Sequence, residues 1–238
     1  MSSLKNWDNQ TWISSREYIE SFNNFVLKQI KLNKDSKILD IGCGRGKIVG
    51  ILSSKLRLKN KPLGIDITNH EDKDKRIKFR KIDALSFFST NKNKFDLILI
   101  KQTIHLLSFN EIKKLLALSK KNLHPNGRVF IFALETDNNQ FPVFKLMKKK
   151  LVQSLKRDKK ILKIITKLYP NKIKKKFIYK VEIVKKNYLK MIQNRYISTL
   201  LSLTKKELSK GVNEINLKYK DNIKFDDKLI CIILKNVN

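Results

Sequence analysis

Cysteine is almost missing from this chain of 238 residues: Cys43 and Cys231 are the only two, each in a strand-like context. Two thiols cannot build a disulfide framework or a four-ligand zinc centre, and His70, His105 and His124 have no metal-ligand spacing, so no metal is expected. Long apolar runs are missing too. Runs such as residues 97–100 and 229–234 fall far short of the roughly 18 residues of a membrane span. The polar start Met1-Ser2-Ser3-Leu4-Lys5-Asn6 carries no signal-peptide core, and the expected location is the cytoplasm. No internal repeat and no glycine/serine linker divides the chain, which is expected to form a single domain.

Acidic residues are also scarce. Against 53 Lys and Arg stand 21 Asp and Glu, a net charge of +32, and only eight of the basic residues are arginine. A basic surface gathers phosphates by counterion release, which points to nucleic acid or an anionic membrane. The scarcity of arginine, the side chain suited to bidentate phosphate recognition, points the other way, to a lysine bias spread over the chain. The charge is nonetheless uneven. Residues 145–190 hold 18 basic residues and two acids, Asp158 and Glu182, so half the net charge sits in about a fifth of the chain.

From Lys37 the pattern alternates strand, turn and helix, which predicts an α/β domain with a mainly parallel sheet. Ile38-Leu39-Asp40-Ile41 reads as a short buried strand, Pro62-Leu63-Gly64-Ile65-Asp66 as the second and residues 77–82 as the third. Phe95-Asp96-Leu97-Ile98-Leu99-Ile100 is apolar on both faces, as a central parallel strand should be. Helical stripes run through Ile48, Ile51, Leu52, Leu56 and Leu58, and through Ile112, Leu115, Leu116, Leu118 and Leu123, the second ended by Pro125-Asn126-Gly127 before a fifth strand at residues 129–134. Residues 1–33 should form an N-terminal helical cap, 34–135 a core, 136–222 basic helical insertions with one strand, and 223–238 the last strand. Within the insertion, residues 144–168 read as a long amphipathic helix or a pair, 177–184 as a strand and 188–203 as a helix. Thr204-Lys205-Lys206-Glu207 is a capping box opening another. Only ten residues separate Asp66 from Ile77, too few for a full crossover helix, which should shrink to a turn.

The turn after the first strand, Asp40-Ile41-Gly42-Cys43-Gly44-Arg45-Gly46, is where chemistry first shows. A Walker loop fails, because Ile41 and Ile48 stand where glycine and a hydroxyl are needed; a dinucleotide fingerprint would need glycine at Lys47. An acid followed by G-x-G-x-G resembles instead motif I of the class I S-adenosylmethionine-dependent methyltransferases. Asp66 ending the second strand, Asp83 in Ile82-Asp83-Ala84, Lys101-Gln102 after the fourth strand and Leu123-His124-Pro125-Asn126-Gly127 continue the likeness across roughly residues 36–135.

The resemblance implies a Rossmann-like, doubly wound, seven-stranded sheet and S-adenosylmethionine as methyl donor. It implies that Asp40, Gly42, Cys43, Gly44 and Gly46 cradle the donor, that Asp66 meets its ribose, Ile67, Asp83 and Ala84 its adenine, and that Lys101 and Gln102 lie beside its methionine end. The chemistry agrees: a ligand with a sulfonium, an ammonium and a carboxylate needs carboxylates, close backbone and a helix N-terminus. Three acids at successive strand ends are unexpected in so basic a chain. Asp96, which begins its strand, is assigned to structure, and His70, in a charged stretch, to a solvated loop.

No Asn/Asp-Pro-Pro-Tyr segment follows strand four, and no cysteine pair suits cytosine C5 chemistry, so a small-molecule acceptor methylated on O or N is expected. Arg195-Tyr196-Ile197-Ser198 resembles a substrate segment of small-molecule methyltransferases; Arg195 would bind an anionic acceptor, unless it serves a structural ion pair. His105 stands as a candidate base, or as packing. Trp7, Trp12 and Tyr18 are candidates to close over the sulfonium by cation–π contact. The runner-up readings are an RNA methyltransferase with residues 145–190 as a phosphate-binding arm, and a membrane-associated enzyme or binding protein whose basic amphipathic helix lies on an anionic bilayer.

Overall fold

A computed structural model describes residues 11–235. Seven strands form one sheet: β1 (Ile38–Ile41), β2 (Leu63–Asp66), β3 (Lys78–Lys81), β4 (Phe95–Lys101), β5 (Leu123–Leu134), β6 (Ile173–Val184) and β7 (Asn222–Lys235). Their spatial order is β3-β2-β1-β4-β5-β7-β6, with β1 to β5 parallel and β7 antiparallel to both its neighbours. This is the Rossmann-like, doubly wound architecture expected from the sequence.

Strand alternation builds two cores, one on each face. In β4, Leu97 and Leu99 face one core while Ile98 and Ile100 face the other. Helices α1 (Arg16–Leu27) and α2 (Lys47–Leu56) bury Tyr18, Phe22, Val26, Val49 and Leu52 in the first. Helices α3 (Ala84–Thr90) and α4 (Phe109–Lys121) bury Phe87, Phe88, Ile112, Leu115 and Leu116 in the second. Asp96 is structural, as expected: its Oδ2 accepts from Lys37 N at 2.7 Å.

Helix α5 (Lys145–Leu168) belongs to both cores. Met147, Leu151 and Leu155 join the first, Ile161 and Ile165 the second. One continuous helix thus crosses the rim of the sheet with its lysines turned to solvent. The apolar stripe considered for a bilayer is already buried in the protein at Phe144, Leu151, Leu155 and Ile165.

Three expectations need correcting. Residues 188–203 are not one helix: α6 (Lys185–Gln193) stops and a short 3₁₀ turn (Ser198–Leu200) follows, because Arg195 takes a left-handed φ of 53°. Strand β6 begins at Ile173, through exposed lysines, rather than at Phe177. Helix α3 was not anticipated at all. The capping box at Thr204 does open α7 (Lys205–Lys218), with both reciprocal bonds formed. No helix links β2 to β3; that connection is pinned by an Arg45–Asp72 ion pair of 2.9 Å and by Asp74 N donating to Arg45 O.

Candidate active site

Open α/β sheets bind ligands beyond the carboxyl ends of their strands, where strand order reverses. Here that point lies between β1 and β4, whose neighbours run outward in opposite directions. The glycine turn sits there. Gly42, Gly44 and Gly46 all have positive φ, which lets the chain reverse tightly and start α2. A Cβ on Gly46 would lie 2.1 Å from Ile77, whereas one on Gly44 would meet nothing within 4 Å. Gly44 is therefore bare backbone facing open space.

That space is a cavity of about 340 Å³. Lining it are Asp40, Gly42, Cys43, Gly44, Gly46, Asp66, Ile67, Asp83, Ala84, Lys101 and Gln102, all eleven positions singled out for the donor. Asp40 is buried, and burial pushes its carboxyl up to about 7, with Lys101 pulling it down and Asp66 adding to the rise. Asp66 binds the turn: its Oδ2 accepts from Gly44 N at 2.9 Å and its Oδ1 from Thr68 N at 2.8 Å. Asp83 caps α3 through Oδ1, accepting from Leu85 N at 3.0 Å and Ser86 N at 2.9 Å; the Ser86 hydroxyl first, and then these backbone bonds, hold its carboxyl below the usual range. Cys43 packs against Gly64, where an added Cβ would lie 2.7 Å from its sulfur, and burial raises its thiol far above the ordinary value. Gln102 holds a left-handed φ of 52° directly after β4 and accepts from Lys101 Nζ at 3.1 Å.

The other end of the cavity is mostly apolar. Leu106, Leu107, Leu134, Phe141, Leu151 and Leu201 line it, with His105, Trp12 and Tyr196. Trp12 and Tyr196 meet edge to face at 5.4 Å, and Tyr196 shares a 2.7 Å hydroxyl contact with Tyr188, which donates to Pro142 O at 2.6 Å. Burial, and then the charge of Arg157, lowers the pKa of His105. Arg157 holds the backbone of this turn, donating to Leu107 O at 2.6 Å and to His105 O at 3.3 Å.

Two residues expected at the substrate do not reach the cavity wall. Arg195 donates to Leu203 O at 2.8 Å, closing the turn after α6. Tyr18 is fully buried among Phe22, Phe177 and Tyr179, and touches the site only through Lys101, whose ammonium lies 5.3 Å from its ring centre. Trp7 lies outside the described residues. His70 is corrected: it is buried, not solvated, and it lines the cavity beside Thr68. Sequence reasoning also missed Asp158 and Thr199, which line the acceptor end. Asp158 was visible as an acid interrupting a helical apolar stripe. A second cavity of about 570 Å³ at the β6 edge shares Trp12 and Tyr196 but contains none of the strand-end acids.

A methyltransferase-domain family profile matches residues 32–195, well over half of the sequence. The chain belongs to the methyltransferase domain family. It is an S-adenosylmethionine-dependent enzyme, and the cavity fits that donor: carboxylates at three strand ends for its donor groups, bare backbone at Gly44 for close approach, and the exposed apolar side chain of Ile67 for a base. Solved structures share the methyltransferase's fold. The plantazolicin methyltransferase BpumL, crystallised with a pentazolic desmethyl-plantazolicin analogue and S-adenosylhomocysteine, aligns with a TM-score of 0.54 at 19% identity, covering 98% of this chain and 89% of that one. A protein assigned as a methyltransferase of an antibiotic biosynthesis pathway in Anabaena variabilis aligns at 0.61 with 14% identity, covering 88% and 95%. A protein from Bacillus halodurans, also assigned as a methyltransferase, aligns at 0.56 with 14% identity, covering 92% and 100%. A search of curated proteins returned no match. Among the described residues of the methyltransferase no cluster of His, Cys, Asp and Glu could hold a metal ion, and no helix is long and apolar enough to cross a membrane.

Proposed function

We propose that this methyltransferase transfers a methyl group to an oxygen or nitrogen of a small-molecule acceptor, acting in the cytoplasm. One observation carries the reading: the strand-end acids and an enclosed apolar compartment share a single cavity, roofed by the middle of α5. That BpumL was crystallised with an analogue of a small peptide natural product supports an acceptor of modest size.

When bound, the donor supplies a methyl group made electrophilic by its sulfonium. The protein's part is alignment and exclusion of water. Asp40, Asp66 and Asp83 are the groups to hold the donor's cationic and hydroxyl groups, with Gly44 giving close backbone. Leu134, Phe141, Leu151 and Leu201 keep water from the acceptor end. His105, its pKa lowered by burial, is neutral at neutral pH, which suits it to take a proton from an acceptor O–H or N–H. Trp12 and Tyr196 offer aromatic edges and faces at the wall. An anionic acceptor gains no support from Arg195, whose guanidinium is engaged with Leu203 O.

The reading is tested by calorimetric titration with S-adenosylmethionine and S-adenosylhomocysteine, on the wild type and Asp66→Ala. Binding by the wild type that the substitution abolishes, followed by turnover of small acceptors but not bulk RNA, is the expected result. A folded wild type that binds neither compound would sink it. The RNA reading keeps one supporting observation, the exposed lysines of α5 (Lys148, Lys149, Lys156, Lys160, Lys163 and Lys167), and predicts binding that falls steeply with salt.

A further inference from the structure

Helix α5 buries one side chain in every turn: Met147, Leu151, Leu155, Asp158, Ile161 and Ile165. Five of these six are apolar. At the fourth, where leucine would continue the packing, stands an acid that is 5% exposed. A carboxylate removed from water without a partner is costly, so buried acids are normally paired. Among the described residues Asp158 makes no hydrogen bond and no ion pair, and burial pushes its carboxyl up to about 6. Its sequence neighbours make their hydrogen bonds elsewhere: Arg157, whose charge still favours the ionised carboxylate, binds the carbonyls of His105 and Leu107, and Lys159 pairs with Asp137 at 2.6 Å.

Asp158 lines the acceptor end of the cavity. The basic residues that line the cavity, Arg45, Lys47 and Lys101, all belong to the cofactor end, on the glycine turn, the first residue of α2 and the end of β4. In a chain of net charge +32, the acceptor compartment therefore carries one carboxylate and no lysine or arginine. Thr199 Oγ1, in the wall of the same cavity, is likewise buried without a hydrogen bond. A carboxylate in the cavity wall without a hydrogen bond and a buried hydroxyl without one, in a mostly apolar compartment, mark where a ligand's polar atoms belong.

We propose that Asp158 binds a cationic nitrogen of the methyl acceptor, so that the acceptor is a small amine or guanidine with an apolar body. This rests on the small-molecule methyltransferase reading and narrows it. Asp158 is a specificity residue: a neutral alcohol or a carboxylate of the same shape leaves it unpaired or opposes it. An ammonium or guanidinium restores the paired state a buried carboxylate requires.

The test uses matched triples that share an apolar body: 2-phenylethylamine, 2-phenylethanol and 3-phenylpropionate, with the corresponding octyl and indolyl sets. Each is titrated calorimetrically, at saturating S-adenosylhomocysteine, into wild type, Asp158→Asn and Asp158→Leu. S-adenosylhomocysteine affinity is measured first on all three proteins. The expected result is that in at least one triple the amine binds about tenfold or more tighter than its partners, a preference typical of a charge-assisted contact. Asp158→Asn should remove that preference while leaving S-adenosylhomocysteine affinity intact, and Asp158→Leu should melt at or above the wild-type temperature. Intact S-adenosylhomocysteine binding with no amine preference in any triple, or with a preference that survives Asp158→Asn, overturns the proposal. Failure of the wild type to bind S-adenosylhomocysteine overturns the methyltransferase reading and this proposal with it.

Discussion

The indole Nε1 of Trp12 donates a 2.9 Å hydrogen bond to Oδ2 of Asp227, across 215 positions of sequence. Both residues are buried, and Trp12 also packs edge to face on Phe141, Tyr196 and Phe225. The bond fixes the N-terminal cap over the cavity to the last strand of the sheet. Asp227 is fully buried, and Lys101 and Tyr18 also act on its carboxylate. Trp12→Phe keeps an aromatic ring but removes the indole donor from a buried carboxylate, so it should destabilise the protein by about 1–3 kcal/mol. Urea unfolding of wild type and variant measures this; an unchanged midpoint would contradict it.

Asp40 trades stability for binding. Burial holds its carboxyl near 7, above the ordinary value near 4, so the folded chain keeps a proton that the unfolded chain has released. Stability from this group is therefore present at low pH and lost as pH climbs from about 4 to about 7. Asp40→Asn lacks that slope and should raise the melting temperature at pH 8 by a few degrees, at about 2–4 °C per kcal/mol in a chain of this size. The same substitution should weaken S-adenosylmethionine binding. In the wild type, affinity for this cationic donor should rise with pH through about 7, and calorimetry at pH 6 and pH 8 checks the direction.

Gly44→Ala separates the backbone's shape from the space it leaves. Its added Cβ meets no protein atom within 4 Å, so the fold pays only for a left-handed φ of 54°, about 1 kcal/mol. The methyl group nevertheless enters the cavity. S-adenosylhomocysteine affinity should drop about tenfold or more while the melting temperature moves by only a few degrees. Equal affinity for the two proteins would remove Gly44 from the site.

The lysines of α5 face solvent on the side away from the cavity. Replacing Lys149, Lys156, Lys160 and Lys163 with glutamine should reduce retention on heparin and any salt-dependent RNA binding, yet leave S-adenosylhomocysteine affinity within about twofold. Loss of methyl transfer to small acceptors in this variant would favour the arm as part of the substrate site.

Strands β1, β2 and β4 could be read from sequence because each is a short, largely apolar run, and Asp40 and Asp66 because they stand at the carboxyl ends of the first two. Other parts were concealed by local physics. Helix α3 has only seven residues, under two turns, so its Ala84, Phe87 and Phe88 spacing is too short to stand out as a periodic stripe. The start of β6 is a lysine run, since an edge strand shows charge to water, and its pattern looks like loop. His70 sits among acids and lysines yet is buried, because Arg45 and Asp72 draw that loop onto the glycine turn. Arg195 carried the right chemistry for an anionic acceptor, but its left-handed backbone directs it to Leu203 O, a fact no side-chain pattern encodes.

The pairing of β7 has a consequence for how the chain is made. Strand β6 has β7 as its sole partner in the sheet, and β5 meets β7 along its outer edge. While residues 1–221 emerge from a ribosome, β1 to β5 can already assemble the half that carries the glycine turn and all three acids. A twelve-residue strand with four lysines precedes β7 in the chain, and the β5 edge stays open until β7 pairs with both. Such an edge invites pairing with another chain, and positive charge on β6 opposes the approach of a second copy until β7 is in place.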